Sequence, residues 1–316
     1  MDLKPATLGD AAMVADLETA RTPDDPQDGE MVAYRWTHEP ESKVAMRLVA
    51  WRDDTVWAFV EATHGEWNQD VRRFGWVNTA IHPDDWTERL YRRGIATGEE
   101  WLRSETSQTA VAIVRADLAG ELGVLQELGY REERRERYWE LDLIGRRTEL
   151  LAGAKRSRAQ MDRQGIRLMT VDQDKDPQTI RKLHELDVQT TNDIPTTVPF
   201  TEPTLDEWVA FYFENPGIHK DRFWIARLDD EVVGMSLIVF PPGREPPLTE
   251  YTATSPGFRG RGIARALKYE TIAQAIALGF ARIRTDNDSE NAPILHINAE
   301  MGYQPLTPYI ELHRDL

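Results

Sequence analysis

No cysteine occurs among the 316 residues. That absence removes disulfides, thiolate metal ligands and a cysteine nucleophile at once, and it fits a reducing compartment. Long apolar runs are missing as well. None reaches the roughly 18 residues that make a membrane-span candidate, so no membrane partner is expected. The opening segment MDLKPATLGDAAM lacks a basic stretch followed by an apolar one, so no secretory signal is expected and the expected location is cytoplasmic. The seven histidines form no HExxH and no pair at ligand spacing, and no metal is expected. A GxSxG nucleophile elbow is absent too. Positive charge is in short supply, with 38 Lys and Arg against 54 Asp and Glu for a net charge of −16. Such a balance argues against a nucleic-acid partner and suits either plain solubility or a cationic small substrate.

What is present is ordinary for an ordered globular protein: 41% hydrophobic residues, 29% charged residues and ten tryptophans. The length suggests two domains, and internal similarity supports that division. An extended segment entering a helix occurs at Leu3-Lys4-Pro5 and at Ile166-Arg167-Leu168. Two strands flanking an Asp-Asp turn occur at 48–62 and at 224–239. RRGIA at 92–96 answers GRGIA at 260–264, and LGY at 128–130 answers MGY at 301–303. The copies are offset by 163 to 176 residues in the same order. The expected organisation is a first unit at 1–145, a connecting helix at 146–165 and a second unit at 166–316. The connecting segment is polar, basic and helix-prone, and reads as a solvated surface helix without a partner.

Within the second unit, helices are expected at 177–191 and 205–215. A loop rich in Pro, Asn, Asp and Thr covers 191–204 between them. Two strands flank Asp229-Asp230, and LTEYTAT at 248–254 reads as a strand. An Ala-rich helix at 262–278 closes at Gly279. A strand at 281–285 and a helix at 291–301 follow. Helices interleaved with strands give a mixed α/β (α+β) unit, repeated in tandem.

The segment TSPGFRGRGIARALK at 254–268 carries the chemistry. A strand runs into a glycine-rich turn, and a helix begins at once. That junction presents free backbone N–H groups and the positive end of a helix dipole. Gly260 and Gly262 let an anion approach the main chain, Arg259 and Arg261 add charge, and the whole suits a pyrophosphate. A Walker loop is excluded because Ile263 stands where lysine is required. A dinucleotide fingerprint is excluded because Arg265 stands where its third glycine or alanine belongs.

What remains, Arg259-x-x-Gly262-x-Ala264, resembles the coenzyme A loop of the GCN5-related N-acetyltransferase (GNAT) family. TDNDSENAPILHINAEMGY at 285–303 resembles that family's next motif, an asparagine opening a helix that ends in Gly-Phe or Gly-Tyr. The resemblance implies a tandem member whose co-substrate is acetyl-CoA. By it, Thr252, Ala253 and Thr254 hold pantetheine, Arg259, Gly260, Arg261, Gly262, Ile263 and Ala264 hold pyrophosphate, and Asn291 lies near the pantetheine arm. Asn291 also reads as a helix N-cap.

An amine acceptor is protonated at neutral pH and must lose a proton before it attacks a thioester. Glu250 is the candidate base. Strict alternation places it with 252 and 254 on one side of the strand, and the family often uses a glutamate from this strand. The family's tyrosine acid is replaced by Asn298, which has no proton to give; Tyr251, Tyr303 or water is left for that task. The acceptor pocket is expected around Asn192, Asp193 and neighbours through Phe200, with Trp208 and Trp224. In the first unit Tyr91 and Arg92 spoil the loop pattern, so weak or no coenzyme A binding is expected there, with a role in covering the second unit. The expected activity is acetyl transfer to a primary amine of a small molecule. Its alternatives are an acyl-CoA-binding sensor, a longer acyl donor or a protein amine. The expected assembly is a monomer with a pseudo-dimeric domain pair, or a homodimer.

Overall fold

The computed structural model describes residues 1–65, 72–191, 193–198, 202–243 and 245–316. Contacts divide the chain into two compact units: residues 1–136 with 197–201 and 307–316, and residues 137–196 with 202–306.

In chain order the elements are β1 (Lys4–Pro5), α1 (Ala11–Arg21), α2 (Gly29–Thr37), β2 (Val44–Arg52), β3 (Thr55–His64), β4 (Phe74–Ile81), α3 (Glu88–Ser104), β5 (Thr109–Arg115), α4 (Ala119–Glu127) and β6 (Arg131–Asp142). They continue as α5 (Arg147–Arg163), β7 (Arg167–Thr170), α6 (Thr179–Thr191), α7 (Leu205–Phe213), β8 (Ile218–Leu228), β9 (Glu231–Val239), β10 (Leu248–Thr254), α8 (Ile263–Ala277), β11 (Arg282–Asp288), α9 (Ala292–Met301), β12 (Gln304–Pro305) and β13 (Tyr309–Asp315).

In the first unit β1 to β4 form an antiparallel meander and β5 joins β4 in parallel. The last strand of the chain, β13, lies between β5 and the first half of β6, antiparallel to both. The C-terminal strand, in the second unit by chain order, thus packs in the first. In the second unit β7 to β10 are antiparallel and β11 joins β10 in parallel. Both units therefore run strand, two helices, three strands, helix, parallel strand, helix.

Local details of the repeat agree. Asp53 and Asp229, the first aspartates of the two hairpin turns, both take a left-handed φ of 50°. Asp is among the few residues that tolerate this conformation. Gly129 and Gly302 follow α4 and α9 with φ of 94° and 87°, the left-handed position that ends a helix.

The copies part company at the glycine turn. Gly262 is the N-cap of α8 with φ 85°, whereas Gly94, its counterpart in sequence, lies inside α3, which is already capped at Thr87. Gly94 serves packing: a Cβ there would sit 2.4 Å from Thr79 Cγ2.

The connecting helix does have a partner. Leu150, Gly153, Ala154, Ser157 and Met161 of α5 are buried, and a Cβ on Gly153 would stand 2.5 Å from the Tyr269 ring of α8. Leu150 and Met161 are buried at its ends, and the expectation of a solvated helix fails because the middle of this stripe is made of the small residues Gly153, Ala154 and Ser157. They bury little apolar area, yet they permit close helix approach, and the charges on the other face hide them.

Gly94→Val should destabilise the first unit by roughly 1–3 kcal/mol through overpacking. Adding Thr79→Ala should recover part of that loss, as read by thermal melting of both variants.

Candidate functional site

The site of the second unit is built where β10 leaves β11. The two strands pair only at Leu248↔Arg284 and Thr249↔Thr285. From Tyr251 to Thr254 β10 is paired with β9, and among the described residues no strand pairs with its other edge. Backbone N–H and C=O groups need partners, and an open edge inside a sheet is a ready place for an extended ligand.

A bulge sits at the parting. Thr249 is opposite Ile238 and Tyr251 is opposite Leu237, so Glu250 is an inserted residue. This corrects the alternation expected for 250, 252 and 254. Thr252 Oγ1 lies 2.8 Å from Ser236 Oγ. Trp224, also opposite Ser236, donates Nε1–H to Gln274 Oε1 of α8 at 2.7 Å, so this is the α8 face. Tyr251 instead reaches Thr190 of α6, with 2.9 Å between hydroxyls, so the opposite face carries Tyr251. Trp224 is therefore engaged with α8, on the face away from Tyr251. Glu250 is exposed; burial first, and then the nearby Asp187, Glu250 and Tyr251, hold the Tyr212 phenol protonated.

Past Thr254 the chain makes the glycine turn. Gly260 and Gly262 have φ of 75° and 85°, a region that costs other residues about 1 kcal/mol or more. Among the described residues, no acceptor receives the N–H groups of residues 260–265. Six consecutive donors thus converge on the positive end of a 15-residue helix. No atom lies within 4 Å of where a Cβ on Gly260 would be, so the approach is clear. The turn is held from behind: Gln160 and Gln164 of α5 donate Nε2–H to Arg261 O at 3.2 and 3.1 Å. Neither glutamine was singled out from sequence; the small-residue stripe of α5 is the signal that would have led to them.

Arg259 donates Nε–H to Thr254 O at 3.3 Å, and its Nη2 is ion-paired with Asp193. The two residues expected to serve donor and acceptor thus meet each other. Asn192 and Phe200 lie outside the described residues. Asn291 occupies the N-cap position of α9 but makes no side-chain cap bond. Asn298 is fully buried and donates Nδ2–H to Asn287 Oδ1 at 2.6 Å, tying α9 to β11. His296 and Glu300 form the expected surface pair at 3.3 Å.

Three buried groups went unnoticed in the sequence. Asp187 of α6 accepts from Trp208 Nε1 at 3.0 Å, and burial raises its pKa against that bond. Tyr212 is buried on the same face. Lys268 of α8 is 1% exposed and lies 5.1 Å from the Tyr303 ring centre. Burial pushes its pKa down to about 7, against the opposing pull of Asp286. An apolar helical face is where each sits, which is why periodicity counts them as core.

Residues 182–303 match the acetyltransferase (GNAT) family. A GCN5-related N-acetyltransferase from Sphaerobacter thermophilus is similar in fold, with TM-score 0.68 and 18% identity over 99% of this chain and 95% of that one. A tandem GNAT protein from the clavulanic acid biosynthesis pathway has TM-score 0.77 and 16% identity over 99% and 98%. A GCN5-related glucosamine N-acetyltransferase region of a fungal multi-domain β-N-acetylglucosaminidase has TM-score 0.70 and 13% identity over 99% and 38%. No curated protein matches the chain by sequence. The fold is thus that of tandem GNAT proteins, and 182–303 is a GNAT acetyltransferase domain. The match of that domain supports an acyltransferase activity.

Two outcomes follow. Asp193→Asn releases Arg259 toward an anion on the loop, and calorimetry should show coenzyme A binding tighter by roughly two- to fivefold, less at high salt, as expected for an exposed pair. For Lys268, the depressed folded pKa means the unfolded chain binds more protons between about pH 7 and its ordinary value near 10.4. Stability contributed by this site therefore rises with pH across that window. Lys268→Met should raise the melting temperature at pH 6, and the gain should shrink toward pH 10.

Proposed function

We propose that the second unit transfers an acetyl group from acetyl-CoA to a primary amine of a small molecule, by direct attack in a ternary complex. The observation that carries this reading is the run of unpaired N–H groups at 260–265 on the N-terminus of α8, with both glycines in left-handed conformations. That run fits a pyrophosphate, held by Arg259, Gly260, Arg261, Gly262, Ile263 and Ala264. The open edge of Thr252, Ala253 and Thr254 fits a pantetheine arm, with Asn291 beside it across the split.

Glu250, at the bulge, takes a proton from the bound ammonium, and the free amine so formed attacks the thioester carbonyl, its nitrogen giving up a second proton to water as the amide forms. The new N–C bond forms as the C–S bond breaks, and the departing thiolate needs a proton. Asn298 cannot give one and is occupied inside the domain. Of the two phenols expected from sequence, Tyr303 is enclosed and Tyr251 is half-buried beside Glu250. Burial raises the Tyr251 pKa, which keeps its proton available. The absence of cysteine leaves no thiol for an acyl-enzyme, which supports direct attack. Asp193, once released from Arg259, is a carboxylate beside the loop for a cationic acceptor; Trp224 supports α8 instead.

The same reading treats the chain as a duplication divided in sequence at 1–145, 146–165 and 166–316, acting in the cytoplasm as a monomer with a pseudo-dimeric domain pair or as a homodimer. Among the described residues no helix is long and apolar enough to cross a membrane. In the first unit the turn is absorbed into α3, whose first amides are capped by Thr87, so one coenzyme A per chain is expected.

Thiol release from acetyl-CoA across a panel of small primary amines tests the proposal. Turnover with at least one amine is expected, abolished by Gly262→Asp. Glu250→Gln should lower kcat by roughly 10²-fold or more while leaving coenzyme A affinity within twofold. Tight one-to-one binding with no turnover on any amine would instead support a sensor.

A further inference from the structure

The first unit has its own parted strands. β4 and β5 pair at Phe74↔Thr109, Gly75↔Ala110 and Trp76↔Val111, and then separate. Beyond Trp76 a groove of about 670 Å³ opens, roofed by α1 and α2 and floored by Val77, Asn78, Ile113 and Arg115. Its size is that of a small-molecule pocket. Trp36, Phe59 and Trp76 supply apolar walls, with Trp36 and Phe59 stacked at 5.8 Å. Ile113 is 44% exposed inside it.

The polar lining is unlike that of a phosphate site. Arg47 donates to Glu61 at 2.6 Å and to Glu39, and lies 5.0 Å from the Trp36 ring centre. Arg115 is held by both oxygens of Asp117 at 2.7 Å and by Asp24 at 2.6 Å. Arg21 is held by Glu18 at 2.9 Å and by Glu121. The nearby helix starts are closed: Asp28 accepts from Met31 N at 2.9 Å at the start of α2, and Thr87 caps α3. The walls carry Arg21, Arg35, Lys43, Arg47 and Arg115 beside Glu18, Glu39 and Glu61, and Arg21, Lys43, Arg47 and Arg115 are each paired with a carboxylate. At Arg47, Glu39 and Glu61, which are mostly buried, a ligand of one charge sign would displace a partner and leave its charge uncompensated, which is costly. A ligand with both signs replaces each lost contact with one of the same sign.

We propose that this groove is a second ligand site, independent of the transfer reaction, that takes a small zwitterion with an apolar body, of the amino-acid class. The ammonium goes to Glu61 or Glu18, the carboxylate to Arg47 or Arg115, and the apolar part lies against Trp36, Phe59 and Trp76.

Calorimetry on the full chain with the twenty L-amino acids tests it. For each binder the comparison is its N-acetyl derivative, which keeps only the anion, and its decarboxylated amine, which keeps only the cation; inorganic phosphate is run alongside. At least one apolar or aromatic amino acid is expected to bind one per chain, at least tenfold tighter than either analogue. Ile113→Trp, which fills the groove, and Glu61→Gln, which removes a carboxylate charge, should each weaken binding at least tenfold, with far-ultraviolet dichroism and melting confirming the fold. No binding by any amino acid, equal binding of an analogue, preference for phosphate, or retention of affinity in both folded variants would overturn the proposal.

Discussion

The separation of β10 from β11 after Thr249 is the constraint from which the site follows. A parallel pair that stayed in register would consume the backbone groups of residues 250–254 in a ladder and leave no edge for a ligand. The bulge at Glu250 accompanies the parting, as bulges do where a strand must bend. It also turns Tyr251 toward α6 while Thr252 remains on the α8 side. One inserted residue therefore places a carboxylate, a phenol and an open strand edge within a few residues of one another.

The glycine turn completes the arrangement, and it is braced rather than loose. Its glycines take left-handed conformations, the N–H groups of 260–265 meet no acceptor among the described residues, and Gln160 and Gln164 hold the carbonyl of Arg261. That brace depends on α5 lying close to α8, which depends on Gly153 meeting Tyr269 without a Cβ between them. Arg158 and Glu270 add a charge-paired contact along the same seam. Sites held by packed elements keep their geometry better than sites on free loops, and here the helix between the two repeats does the holding.

Comparison of the two copies separates conserved letters from conserved conformation. RRGIA and GRGIA differ at one residue, yet Gly94 is helical and packed on Thr79 while Gly262 is a left-handed cap. Helix α3 starts at Glu88 because Thr87 offers a side-chain cap there. In the second copy Gly257, Gly260 and Gly262, after Pro256, discourage helix until Ile263. The same hairpin and the same helix-ending glycine survive in both, since those positions serve the fold.

By itself the sequence determined the alternation of helices and strands, the duplication, and the place of the glycine turn before α8. Those signals are local: turn residues, helix periodicity and the spacing of glycines report on neighbouring backbone, so β10, α8 and α9 lie within a residue or two of their expected bounds. Only the tertiary structure decided which face each side chain takes and with whom it pairs. The bulge at Glu250 shifts a period-2 pattern that letters alone cannot show to be interrupted. The pairing of Arg259 with Asp193, the turn of Trp224 toward Gln274, the burial of Asn298 and the placing of β13 in the first unit all join residues far apart in the chain. Such contacts are set by packing across elements, to which sequence periodicity is blind.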